Sequence, residues 1–227
     1  SLEAASYASA WAQAQGTSAE AVVFGHADSD SLAQYGIRKL HQINEDQSER
    51  FEAHSHARAI AKIAKESGAK LVVLGASANA QSLAPLLAVH LDAAYVSGVV
   101  AMPEASAPMT FKRAVFTNKG FSQTEVSSEV AIISLSANAY GLNPNPVSCS
   151  NEEISFPELN AQAKTTPGLI DKAQGKISIA DAEIVVSAGR GLKGPENWGM
   201  IEELAQVLGG ATACSKPVSD LGWRPHS

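Results

Sequence analysis

The run Lys70-Leu-Val-Val-Leu-Gly75 limits what this chain can become more than any other stretch. Four consecutive apolar residues closed by glycine predict a short strand buried on both faces, and such a strand needs helices above and below it. Helices are at hand. Residues 51–67 carry Ala57, Ile60, Ala61 and Ala64 at helical spacing with Gly68 as the C-terminal stop, and 82–91 reads as the next helix. Upstream, Leu2, Ala5, Ala8, Trp11 and Ala12 line one face of a helix over 2–15, and Glu20–Gly25 reads as a short buried strand. A second helix is expected over 31–40, with a strand around 39–43 whose start overlaps it, and a further strand over 97–102. Strand and helix thus alternate through the first hundred residues, which predicts an α/β fold with a doubly wound, mostly parallel sheet. Because the chain opens on a helix, the sheet is expected to lack a preceding first strand.

The pattern changes after Pro103. Segments 111–116, 124–126 and 130–135 read as β, joined by short polar turns such as Asn118-Lys-Gly120, and predict an antiparallel extension of the sheet. Residues 141–168 hold Pro144, Pro146, Pro157 and Pro167 among polar residues and read as a linker carrying one extended segment at 153–156. The expected division is a first domain over 1–140, a linker over 141–170 and a second domain over 171–227. In the second, Glu183–Ala188 reads as a buried strand, 195–208 as a helix stopped by Gly209-Gly210, and 211–214 as a second strand. Two strands and one helix cannot bury both faces of a parallel sheet, so the second domain is expected to be cut short.

Composition narrows the function. With a net charge of −6 over 227 residues, the chain lacks the concentration of Lys and Arg that phosphate backbones demand, so nucleic acid is not an expected partner. Its apolar runs, such as 71–74 and 131–135, are strand-sized and too short to cross a bilayer. No cationic and apolar leader opens the sequence, and Cys149 and Cys214 are expected as free thiols, which together predict a cytoplasmic protein. His54 and His56 lack a third ligand, and no metal is expected there.

Chemistry concentrates at Gly189-Arg-Gly-Leu-Lys-Gly194, a GxGxxG set directly between a strand and a helix. In such a motif the first glycine makes the tight turn, the second lets backbone approach a ligand, and the third lets helix pack on strand. Pro195 suits the first helical turn, whose free N–H groups favour an anion. Arg190 and Lys193 add positive charge. A plain glycine turn with no ligand is the alternative. An NAD site calls for an acidic residue at the end of the second strand, to hold the ribose hydroxyls. That place holds Cys214-Ser215-Lys216, which suits an electron-rich ligand better. Lys216 is either a solvated loop lysine or a cation beside a reduced flavin, whose potential it would raise.

The run from Asp181 to Asn197 closely resembles the segment that opens the FAD-binding domain of electron-transferring flavoprotein alpha subunits, and 213–226 falls at the spacing of that domain's next part. A looser likeness covers the whole chain, including 71–77, 93–102 and the region of Asn118. The resemblance implies a Rossmann-like FAD-binding domain, with Arg190, Gly191, Ser215 and Lys216 as cofactor contacts. Lys216 departs from the arginine that many members place over the flavin, keeping the charge and losing the planar fork. The family's later Gln-Val-Gly-Gln-Thr-Gly stretch and the residues that finish its FAD site have no counterpart here, so these residues alone are not expected to hold FAD.

The resemblance further implies a heterodimer with a beta subunit that covers the flavin and carries AMP. Electrons would pass from flavin dehydrogenases, such as acyl-CoA dehydrogenases, to a quinone oxidoreductase, with no substrate bond made or broken and no catalytic residue required. The first domain would be a scaffold without a nucleotide, in keeping with the glycine-poor turn after Gly75. Two readings compete. One is an NAD-dependent oxidoreductase using 189–194, which has no acid–base His or Tyr nearby. The other is an adenine-nucleotide-binding module in 1–140.

Overall fold

The computed structural model describes residues 2–44, 51–104, 108–157, 179 and 182–225. It divides into two compact units, Ser1–Gly168 and Leu169–Ser227.

The first unit runs α1 (Leu2–Ala14), β1 (Ala19–Phe24), α2 (Ser29–Ala33), β2 (Ile37–Ile43), α3 (Ala53–Glu66), β3 (Leu71–Leu74), α4 (Ala78–Leu91) and β4 (Ala94–Val99), then β5 (Met109–Val115), β6 (Gly120–Val126), β7 (Ala131–Leu135) and β8 (Ser150–Glu153). Strands β1, β2 and β8 form a parallel sheet in that order. The other five form a sheet in the order β3-β7-β4-β5-β6, in which β7 is parallel to both its neighbours and β5 and β6 are antiparallel additions.

Side-chain alternation explains why this sheet needs cover on both faces. Leu71, Val73, Val96, Ala131, Ile133 and Leu135 join Tyr7 and Trp11 of α1 in one core cluster. Their neighbours Val72, Leu74, Tyr95 and Ile132 join Ala57 and Ala61 of α3 and Leu83, Ala84 and Leu87 of α4 in another. Tyr7 and Phe111 are fully buried, and each such side chain contributes roughly 1.5–3 kcal/mol. The same helices also reach the smaller sheet. Ala5 and Ala12 of α1 pack with Ala19 and Ile37, while Ala59 and Ile63 of α3 pack with Ile43 and Val22. The fold is therefore a doubly wound α/β unit, as its alternating pattern predicts.

Four local expectations change. The helix expected over 31–40 stops at Ala33, and β2 takes Ile37–Ile43. Leu32, Gly36 and Leu40 fit a helical stripe, but Gly36 has φ +84°, and a Cβ there would overlap the Ser9 hydroxyl of α1. That close approach turns the chain into a strand. The α4 helix starts earlier than expected, at Ala78, because the Ser77 hydroxyl caps it by accepting the Ala80 N–H at 3.2 Å. Strand β7 is not part of the antiparallel extension; it inserts between β3 and β4. The extended segment expected at 153–156 lies at 150–153, where β8 pairs with β2.

Residues 138–147 are fastened to α1 by polar contacts. The Glu3 carboxylate accepts backbone N–H groups from Asn138 (3.1 Å), Tyr140 (2.7 Å) and Gly141 (3.0 Å). The Ser6 hydroxyl accepts the Asn143 N–H at 3.1 Å, and Asn145 donates to Ser9 at 3.1 Å.

The second unit holds β9 (Val185–Ala188), a 3-10 turn at Arg190–Leu192, a 3-10 helix at Pro195–Trp198, α5 (Gly199–Leu208), β10 (Ala211–Cys214) and α6 (Lys216–Asp220). Strands β9 and β10 are parallel, with Ala188 opposite Cys214, and α5 packs on both. A Cβ on Gly210 would lie 2.6 Å from the Ile184 carbonyl oxygen, so only glycine lets the chain re-enter the sheet there. The strand expected to be buried does form, yet Val185 remains 40% exposed. Within the described residues of this unit, one helix and one neighbouring strand are all that cover it.

Candidate functional site: the carboxyl edge of β9 and β10

Parallel pairing brings the ends of β9 and β10 to the same edge, so the two segments singled out in the sequence become neighbours. The Ser215 N–H donates to the Ala188 carbonyl at 3.0 Å. The Ser215 hydroxyl lies 3.6 Å from where a Cβ on Gly189 would stand, an ordinary contact distance that puts the hydroxyl beside the loop's first glycine. Ser215 precedes α6 but makes no capping bond with its own side chain, and Lys216 is the first residue of that helix. Arg190, Gly191, Ser215 and Lys216 are all exposed.

The 189–194 turn is closed by two backbone bonds, from Leu192 N–H to the Gly189 carbonyl (3.2 Å) and from Lys193 N–H to the Arg190 carbonyl (3.0 Å). Among the described residues, the N–H groups of Arg190 and Gly191 meet no acceptor. Its chain neighbours aside, no described residue comes within 4 Å of where a Cβ on Gly191 would stand, which leaves space beside these donors. Arg190, Lys193 and Lys216 have no carboxylate partner among the described residues. The Glu196 carboxylate lies beside Gly194. Two free backbone donors and three unpaired cations along one strand edge suit an anionic group such as a diphosphate.

The glycines divide their work differently from the expectation. The left-handed residue of the turn is Lys193, at φ +67°, while Gly194 is extended. The helix expected from Pro195 begins as the 3-10 helix and becomes α-helical at Gly199. Asn197 also has a part that sequence reasoning missed: its side-chain N–H donates to the Leu192 carbonyl at 2.8 Å. Nothing in its place along the chain marks that part.

The rival sites are poorly furnished. Strand β10 ends at Cys214, where a ribose-binding acid would follow, and Ser215-Lys216 stands there instead. In the first unit, one N–H at the start of α4, that of Ala80, is already taken by the Ser77 hydroxyl. Among the described residues no group of His, Cys, Asp and Glu is arranged to hold a metal. His56 instead lies in the core, its ring centroid 4.0 Å from that of Phe24.

Residues 1–164 match the family model of the electron transfer flavoprotein domain. The chain belongs to the electron transfer flavoprotein family. Residues 178–227, which contain the whole edge just described, match the model of the electron transfer flavoprotein FAD-binding domain. Among relatives, the electron transfer flavoprotein subunit alpha of Syntrophomonas wolfei subsp. wolfei is 24% identical over 222 residues, covering 93% of this chain and 68% of the relative. The subunit alpha of Bacillus subtilis is 21% identical over 196 residues, covering 85% and 59% respectively. That of Mycobacterium leprae is 24% identical over 200 residues, covering 86% and 61%. The chain thus spans 59% to 68% of these relatives' own lengths and is of the alpha-subunit type. No described helix of this family member is long and apolar enough to cross a membrane.

Proposed function

We propose that this chain is the alpha half of a two-subunit electron carrier and contributes to an FAD site at the carboxyl edge of β9 and β10. The observation that carries the reading is the pair of unpartnered N–H groups of Arg190 and Gly191, flanked by Arg190, Lys193 and Lys216, inside the segment matched by the FAD-binding model. Bound there, FAD supplies the electron-accepting and electron-releasing chemistry. The protein's own residues bind and tune it. Gly191 leaves space for close approach, and Arg190 and Lys193 attract the anionic linkage. Ser215 offers a hydroxyl beside Gly189, and Lys216 keeps positive charge on the strand edge, which favours added electron density nearby.

No general base is needed, since electrons move without a substrate bond forming or breaking. The finer reading follows the family resemblance. A beta subunit carrying AMP covers the flavin, flavin dehydrogenases such as acyl-CoA dehydrogenases deliver electrons, and a quinone oxidoreductase removes them in a cytoplasmic setting. Residues 1–140 act as scaffold, 141–170 as a linker whose first part is fastened to that scaffold through β8, and 171–227 as the opening of the FAD-binding domain.

The test is the visible absorption spectrum of the full-length chain purified with its partner subunit. A flavin spectrum, with FAD released on denaturation, is expected. A colourless, stable heterodimer would reject the electron-carrier reading.

A further inference from the structure

We propose that Asn197 is a positioning residue for the flavin-binding turn, a clasp that holds 189–194 in the one shape that leaves the Arg190 and Gly191 N–H groups open. The proposal rests on the flavin reading above. Its starting point is Lys193, a non-glycine residue at φ +67°, ψ −18°. A side chain in that region costs about 1 kcal/mol or more, so the turn holds only if its surroundings fasten it.

Asn197 supplies the fastening on both sides of the strained residue. Its side-chain N–H donates to the carbonyl of Leu192, just before Lys193, at 2.8 Å. Its backbone N–H donates to the carbonyl of Gly194, just after Lys193, at 3.3 Å. The next residue anchors the clasp: Trp198 is 4% exposed, with the Arg224 guanidinium 4.8 Å from its ring centre. With the Leu192 carbonyl engaged by the amide, the loop is kept from turning that oxygen toward an approaching anion, which it would repel. Lys193 itself is exposed.

The test uses the full-length chain assembled with its partner subunit and stripped of flavin. FAD affinity is measured by fluorescence quenching and apo-protein stability by thermal melting. Asn197→Asp keeps the side-chain shape and loses the donor; Asn197→Ala loses both. Each is expected to raise the Kd for FAD about tenfold while moving the apo melting temperature by no more than about 2 °C. In a Lys193→Gly background the same substitutions should raise Kd less than about threefold, because glycine holds the left-handed turn without help.

Equal loss in both backgrounds, an unchanged Kd, or loss of affinity in step with a large fall in melting temperature would overturn the clasp. If the unsubstituted complex takes up no FAD, the flavin reading itself fails. If it binds FAD and Asn197→Asp binds as tightly, only the clasp is rejected.

Discussion

Arg190 and Glu3 are both charged residues near backbone N–H groups, and they illustrate opposite uses of charge. Arg190 stands beside two open donors with no carboxylate partner among the described residues, so its charge is available to a ligand. Arg190→Ala should therefore lower FAD affinity on the order of tenfold or more in the full complex, with little change in stability; equilibrium dialysis measures the first and urea unfolding the second. Glu3 is already spent. Its carboxylate accepts three N–H groups from residues 138–141, and hydrogen bonds to a charged acceptor are worth about 1.5–3 kcal/mol. Glu3→Ala should cost about that much in urea unfolding and leave flavin affinity alone. The sequence shows Arg190 because a cation between glycines has few structural uses. It hides Glu3 and Asn197, since neither a carboxylate 135 positions from its partner nor an amide reaching back to a carbonyl leaves a local pattern.

At the scale of elements, the legible strands are those whose environment is uniform. Leu71–Leu74 and Ala131–Leu135 are covered on both faces and read as apolar runs, and β10 reads the same way. The strand with the least legible start is β2, expected around 39–43 and observed over Ile37–Ile43, because its residues Lys39, His41 and Gln42 look solvated in sequence. His41 and Gln42 are buried, with His41 Nε2 2.7 Å from a Glu20 oxygen and Gln42 accepting from Asn151 at 3.1 Å. Partners on neighbouring strands make those polar residues acceptable in a sheet, and such partners cannot be seen along one strand.

Strand β8, expected three residues later than it lies, was blurred for a related reason. All four of its side chains are exposed, so it shows no apolar alternation. Its hold on β2 includes the Glu152 carboxylate, 2.7 Å from Lys39 Nζ and 3.1 Å from His41 Nδ1. The Lys39 hydrogen bond and charge, aided by His41, hold Glu152 below the usual carboxylate range. A depressed carboxyl stabilises fully above its unfolded pKa, and that contribution is lost as pH falls through its folded one. Protection of β8 amides and of the Ile154 N–H, measured by hydrogen exchange, should therefore fall as the pH drops below about 4. Glu152→Gln should remove that dependence on acid.

Across the whole first unit, α1 and α3 each bury side chains against both sheets. Neither sheet keeps its cover if the other loses its helices, so this unit should unfold in a single step. Calorimetric and van't Hoff enthalpies for its transition are expected to agree, and a resolved early transition from the β1-β2-β8 sheet would contradict the arrangement. At this scale the alternation of elements was readable, but the order of strands was not. Nothing local tells β7 to enter between β3 and β4 rather than extend the antiparallel edge; the choice follows from the apolar side chains it presents to both helical layers.

That insertion has a consequence for how the molecule is made. Strands β3 and β4 are separated by β7, so they have no mutual hydrogen bonds to form while the chain is still emerging from the ribosome. The pairs β1–β2 and β5–β6 can form early, but β3 and β4 are joined only when β7 arrives at Ala131, and the smaller sheet is completed only by β8 at Ser150. A nascent chain of this design keeps its larger sheet in two pieces for most of the translation of its first unit, and joins them over a short final stretch.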